Sequence, residues 1–296
     1  MKTFYWLLRR EFWEHRAILI APIITAVVIL IGALTQLIIQ PAQDPTVATA
    51  QLTDKALLLL SLFALPFFIV NGFVAIFYLM DSLYGERKDR SVLFWRSLPV
   101  SDTAAVSAKL ATGLVLAPLV AALVAALSLP VITFIFRGYF AGQHFSALPV
   151  MWNPSHFLEA VILWIYATAV GVLWFLPVAA WFLAVSAWAP KNPFLWGLVP
   201  PAALVAVERL LRGSSWVGDQ LVDRMQGWIA LAFNTGMKGT GQGASFEGEH
   251  VSVPANLLHW INPGPLFASP RLWLGIAVGL LFVFLAVQGR RYRTEA

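Results

Sequence analysis

Charge is what this chain has least of. Asp, Glu, Lys and Arg make up only 12% of its 296 residues, against roughly a quarter in an ordinary water-soluble domain. Cysteine is missing altogether, which excludes disulfide frameworks, thiolate nucleophiles and thiolate metal sites. A nucleotide-binding loop is missing too. Gly236 to Gly241 has the spacing of a P-loop, but Gln242 stands where the lysine is required and no apolar strand precedes it. The histidines (His15, His144, His156, His250, His259) are dispersed. Glu11-Phe-Trp-Glu14-His15 lacks a second histidine in helical register with which to share a zinc ion. Catalysis by this chain and a metal site within it are therefore not expected.

What the chain does have is hydrophobic residues, 59% of the total, and a mean hydropathy of +0.75. They fall in six blocks, at 17–40, 56–80, 104–136, 157–189, 194–211 and 272–288. About 20 apolar residues cross the ~30 Å hydrocarbon core as a helix, with every backbone polar group satisfied internally. The expected fold is an all-α integral membrane protein of about six transmembrane helices, forming one domain over 17–296. The third and fourth blocks exceed what a bilayer needs, and Pro118, Pro130 and Pro177 offer kink points. The first block is too long for a cleaved signal peptide.

Basic residues set the expected orientation. With the N-terminus in the cytoplasm, thirteen Lys/Arg fall inside and seven outside, most of the latter in the long 212–271 connection, where the positive-inside rule has least force. Both termini are then cytoplasmic, which requires an even number of spans. The formal charge of +5 reads as topogenic and lipid-directed, with no nucleic acid as partner.

Three stretches lie outside the blocks. Residues 1–16 place Phe4, Leu8 and Phe12 four apart, with Trp6, Arg9, Arg10 and Trp13 beside them. This suits a helix lying in the membrane interface, or more plainly a basic tail with aromatic anchors. Residues 212–271 hold a helical pattern over Trp216–Ala232, with Leu221, Val222, Met225 and Trp228 on one side and Asp219, Asp223 and Arg224 mostly on the other. An outward-facing amphipathic helix before the last span is expected there, followed by a flexible glycine-rich loop. Residues 81–103 leave the membrane with a charged turn at Glu86–Arg90. Ser91–Leu98 then sets Val92, Phe94, Trp95 and Leu98 among Arg96 and Ser97. The chain breaks at Pro99 and restarts with a helix N-cap at Ser101 or Asp102. Such a piece is shaped to dock on something, or else to lie as a loop on the headgroups.

This last stretch resembles the membrane subunits of type-2 ATP-binding-cassette (ABC) exporters, where the second span is followed by Glu-Arg, a small hydroxyl residue, Leu-Pro-aliphatic-Ser and a downstream Lys. Here these are Glu86, Arg87, Ser91, Leu98, Pro99, Val100, Ser101 and Lys109. Many members have Gly before the hydroxyl and an acidic residue shortly after it; this chain has Arg90 and Phe94-Trp95. The resemblance implies a permease subunit in a bacterial cytoplasmic (inner) membrane, with 1–16 as its elbow helix. A coupling helix at Ser91–Leu98 would dock through Glu86, Arg87, Ser91, Phe94, Trp95, Arg96 and Leu98. The implied partners are a separate ABC ATPase, which would hold the ATP and magnesium, and a second permease copy or a paralogue.

Two other readings belong beside it. An ATPase-coupled subunit could sense or remodel the envelope without moving cargo. An ion-coupled secondary transporter needs carboxylates, His or Lys at mid-bilayer, and the first, second and last blocks contain none; their interior polar residues include Gln36 and Asn71. The same dryness suits an amphiphilic cargo. Glu159 and Glu208, near the outer ends of their blocks, are the candidate gate at the outer mouth.

Overall fold

The computed structural model describes residues 2–39, 57–91, 100–140, 153–234, 237–240, 243–246 and 256–293. Six of its helices are long and apolar enough to cross a membrane. Helix α1 (Lys2–Glu14) turns within two residues into α2 (Ala17–Ile39), the first span. The second span, Leu57–Lys88, is carried mainly by α3 (Leu65–Lys88). The third joins α4 (Asp102–Ala111) to α5 (Ala117–Phe140) through a π turn at Thr112–Leu116. The fourth and fifth are α6 (Pro154–Trp188) and α7 (Pro193–Arg212). Helix α8 (Trp216–Ala232) and the short α9 (Pro263–Ala268) precede the sixth span, α10 (Pro270–Tyr292).

The boundaries have local causes. Ser101 is the N-cap of the third span, its side chain accepting from the Ala104 N–H at 3.2 Å. That leaves Asp102 free for another partner. Pro118 has no N–H and its ring would crowd the carbonyl four residues back; the wider π turn just before it relieves that conflict. At the same place the Asn71 side-chain amide, buried in the second span, donates to the Ala117 carbonyl. The second span ends at Lys88, and Arg90 then adopts a left-handed backbone, φ +55°.

Close packing falls where side chains are small, as in membrane bundles generally. The sixth span lies along the fourth in the most extensive helix pairing of the fold. At Gly279 a Cβ would meet Leu176 Cγ at 2.8 Å, and at Gly289 it would meet Trp188 Nε1 at 2.7 Å. The fourth span also packs on the second and third, and so occupies the middle of the bundle. The fifth span is peripheral. Only Gly197 of it is buried, against Met80 and Phe182, and its carbonyl accepts from Trp181 Nε1 at 3.0 Å.

Helix α8 leaves the apolar side read from its sequence exposed and turns one residue of the other side inward. Leu221, Val222 and Met225 are exposed, while Arg224 turns inward with its guanidinium 4.4 Å from the Trp174 ring centroid. Trp174 Nε1 in turn donates to the Arg224 carbonyl at 2.7 Å. This cation on an aromatic face ties α8 to the fourth span. The expected glycine-rich loop instead contains a two-stranded antiparallel hairpin, β1 (Met237–Thr240) and β2 (Gly243–Phe246), so the described residues are not purely helical.

A left-handed backbone costs a non-glycine residue roughly 1–2 kcal/mol, part of which glycine returns as chain entropy. Arg90→Gly is therefore expected to stabilise the solubilised protein by up to about 1 kcal/mol, read as a higher thermal midpoint. A lower midpoint would contradict the left-handed assignment.

Candidate functional site

The six spans are poor in charge, yet one end of the bundle encloses a cluster of ionised side chains. Lys109, from the start of the third span, is 2% exposed. Its Nζ lies 2.9 and 3.1 Å from the two oxygens of Glu11 on α1, and 3.2 Å from Glu86 Oε1 at the end of the second span. Glu11 is 2% exposed and also accepts from the Tyr78 hydroxyl at 2.8 Å. Arg290, at the end of the sixth span, approaches Glu86 Oε2 at 3.6 Å and donates to Asp102 Oδ1 at 2.7 Å. Arg10 completes the ring, 2.8 Å from Glu14 and 3.5 Å from Glu86. Three cations thus face four carboxylates drawn from α1 and the second, third and sixth spans.

A buried charge without a partner is expensive, and breaking a buried pair leaves that cost exposed. The cluster therefore fixes where α1 lies. Its inward seam is Leu7 and Glu11, with Leu8, Phe12 and His15 half-buried beside them; Phe4 is exposed. The Phe4/Leu8/Phe12 stripe, read as a membrane-interface face, lies beside this seam, which is set by Glu11 reaching Lys109. Trp6 and Trp13 stand on the outer face, 56% and 62% exposed, with Arg9 over the Trp6 ring at 5.0 Å.

The residues expected to dock a partner have different fates. Glu86 and Arg87 are 7% and 3% exposed and are engaged within the chain. Arg87 donates to the carbonyls of Ser186 and Ala189 at 2.9 and 2.8 Å, where a cation suits the free carbonyl end of a helix. In the single chain both side chains, expected among the docking contacts, are turned inward. Ser91 donates to the Glu86 carbonyl at 3.4 Å. Phe94, Trp95, Arg96 and Leu98 lie outside the described residues.

Glu159 and Glu208, expected at an outer mouth, each hold backbone. Glu159 accepts from the Leu257 N–H at 3.0 Å and stands 3.5 Å from His156 Nδ1. Glu208 accepts from Ser214 Oγ and from the Val217 N–H, both at 2.7 Å, and so caps α8. The structure does not join the two carboxylates.

Among the described residues, Glu11, Glu14 and His15 offer ligand atoms within 4.8 Å of one another. The Glu11 oxygens are already held by Lys109 and Tyr78, and Glu14 by Arg10. A metal ion there would have to displace a buried ammonium group.

One part of the cluster was readable in sequence: a lone lysine inside an otherwise apolar helix calls for a partner. No local pattern named that partner, Glu11, 98 positions earlier.

No family model, no curated protein and no solved structure matches the chain.

Burial by itself would raise the Glu11 carboxyl, but the charge and hydrogen bonds of Lys109, with Tyr78 and Arg10, outweigh it and hold the group below its ordinary value of 4.5. Burial lowers the His15 imidazole below 6.5, with Lys109 adding to the effect and Glu11 opposing it. Both folded values lie under the unfolded ones, so both contributions are complete at neutral pH and are lost on acidification. The thermal midpoint should hold above pH 6.5, fall below it as His15 is protonated, and fall again below 4.5 as Glu11 is protonated. His15→Gln should remove the first fall and Glu11→Gln the second. A flat wild-type profile across both windows would contradict this.

Proposed function

We propose that this chain is the permease subunit of a type-2 ABC exporter, multi-pass in a bacterial inner membrane with its α1 end facing the cytoplasm. The observation that carries the reading is the attachment of the second-to-third connection at both of its roots. Glu86 on one side and Asp102 on the other are both bound to Arg290 of the sixth span. Lys109 joins the same place to α1. A force applied to the residues between those roots reaches four helices at once, as a transmission element requires.

Two further features support it. Arg90 holds a left-handed backbone at the position where many family members carry glycine, and glycine is what such a position favours. The motif's downstream lysine, Lys109, is the centre of the cluster.

In this reading a separate ATPase binds ATP and magnesium and docks at Ser91–Leu98, through Phe94, Trp95, Arg96 and Leu98. Closure of the ATPase moves that segment, and the cluster passes the movement to the spans, which switch between two packings. Because Glu86 and Arg87 are buried, their part is to anchor the docking segment, not to touch the partner. One chain has too few spans for a full path, so a second copy or a paralogue completes it. The charge-poor spans suit an amphiphilic cargo.

The test is co-purification with the ATPase encoded beside this chain, followed by ATP hydrolysis by the complex. A stable complex is expected, and Phe94→Ala with Trp95→Ala should uncouple hydrolysis from the membrane subunit. Failure to bind any ATPase would overturn the exporter reading. Unchanged coupling in the double variant would overturn the docking assignment alone.

A further inference from the structure

The outer face of α1 bears a shallow open groove walled by Trp6, Arg9, Arg10 and Trp13. These positions are three, four and seven apart, so one helix face carries all of them. Both indoles are more than half exposed, while the Arg9 guanidinium lies over the Trp6 ring. The net accessible charge here is positive: Arg9 and Arg16 are exposed, Glu11 is buried against Lys109, and the one exposed carboxylate, Glu14, is paired with Arg10. Indole rings favour the headgroup level of a bilayer, and basic side chains there favour anionic lipid.

We propose that this groove is a binding site for one anionic phospholipid headgroup, and that Arg10 couples its occupancy to the buried cluster. Arg10 is the residue common to both places. It lines the groove and also lies 3.5 Å from Glu86, the carboxylate shared by Lys109 and Arg290. A phosphodiester in the groove competes with Glu86 and Glu14 for the same guanidinium. Lipid binding thereby loosens one contact at the root of the second-to-third connection. Charge complementarity and the flanking indoles select a lipid over a free anion. The site requires only that the chain reside in a bilayer, so its failure and failure to bind an ATPase are separate results.

The test uses the full-length chain in detergent with short-chain phosphatidylglycerol and phosphatidylcholine as probes, and bound lipid counted by native mass spectrometry. Phosphatidylglycerol should be retained in preference. Arg9→Gln should reduce that preference about fivefold, the factor that corresponds to about 1 kcal/mol for one basic residue at an anionic surface. Trp13→Ala, a second exposed position, should reduce it as well. Glu86→Gln, which removes one of the two competitors for Arg10, should raise phosphatidylglycerol affinity, and inorganic phosphate should not displace the lipid. Equal retention of the two lipids, or a preference untouched by both groove variants, would overturn the site. Displacement by phosphate would overturn the lipid assignment, and an unchanged affinity in Glu86→Gln would overturn the coupling.

Discussion

Lys109 sits in a helix long and apolar enough to cross a membrane and is almost wholly buried. An ammonium ion in that position must be paired with carboxylates, here one that it hydrogen-bonds and one that it approaches as an ion pair. Glu11 and Glu86 supply them, and this requirement organises the surrounding end of the bundle. It brings α1 back against the third span and sets the ends of the second and sixth spans beside each other. Arg290 can then bridge Glu86 and Asp102. The contacts below that layer are mainly apolar and small-residue ones, which hold helices together without selecting one arrangement of their ends.

The same cluster explains how the fold and the site differ in legibility. Six helices long and apolar enough to cross a membrane could be read from block length alone, because the bilayer sets a length that few other structures need. Of the kink points expected at Pro118, Pro130 and Pro177, the first is preceded by the π turn, while the other two lie within α5 and α6. Facing was harder. A stripe through Phe4, Leu8 and Phe12 is the natural apolar face of α1, yet Leu7 and Glu11 are the buried pair. Periodicity ranks a carboxylate as outward, and only a cation far along the chain reverses that ranking. Arg224 follows the same rule on α8, drawn inward by the Trp174 ring.

Glu86 and Arg87 show the limit of a motif. Their pattern marks a boundary between a span and a connection, but does not say which way the side chains turn. Glu86 turns into the cluster, and Arg87 onto the carbonyls that end the fourth span. The two act as roots for the connection between spans two and three. In the exporter reading proposed above, the connection needs roots of this kind more than additional surface contacts. The outer face of α1 keeps Trp6, Arg9 and Trp13 exposed, and Arg10 stands between that face and the cluster.

The most direct measurement of this account is a double-mutant cycle on Glu11 and Lys109, using Glu11→Gln, Lys109→Met and the pair, by unfolding of the solubilised protein. Lys109→Met alone leaves buried carboxylates without their cation and should cost about 3–5 kcal/mol. The double variant should recover a large part of that loss, giving a coupling of more than about 1 kcal/mol between the sites. Additive effects of the two substitutions would contradict it, because they would mean that the pair does not hold α1 to the third span.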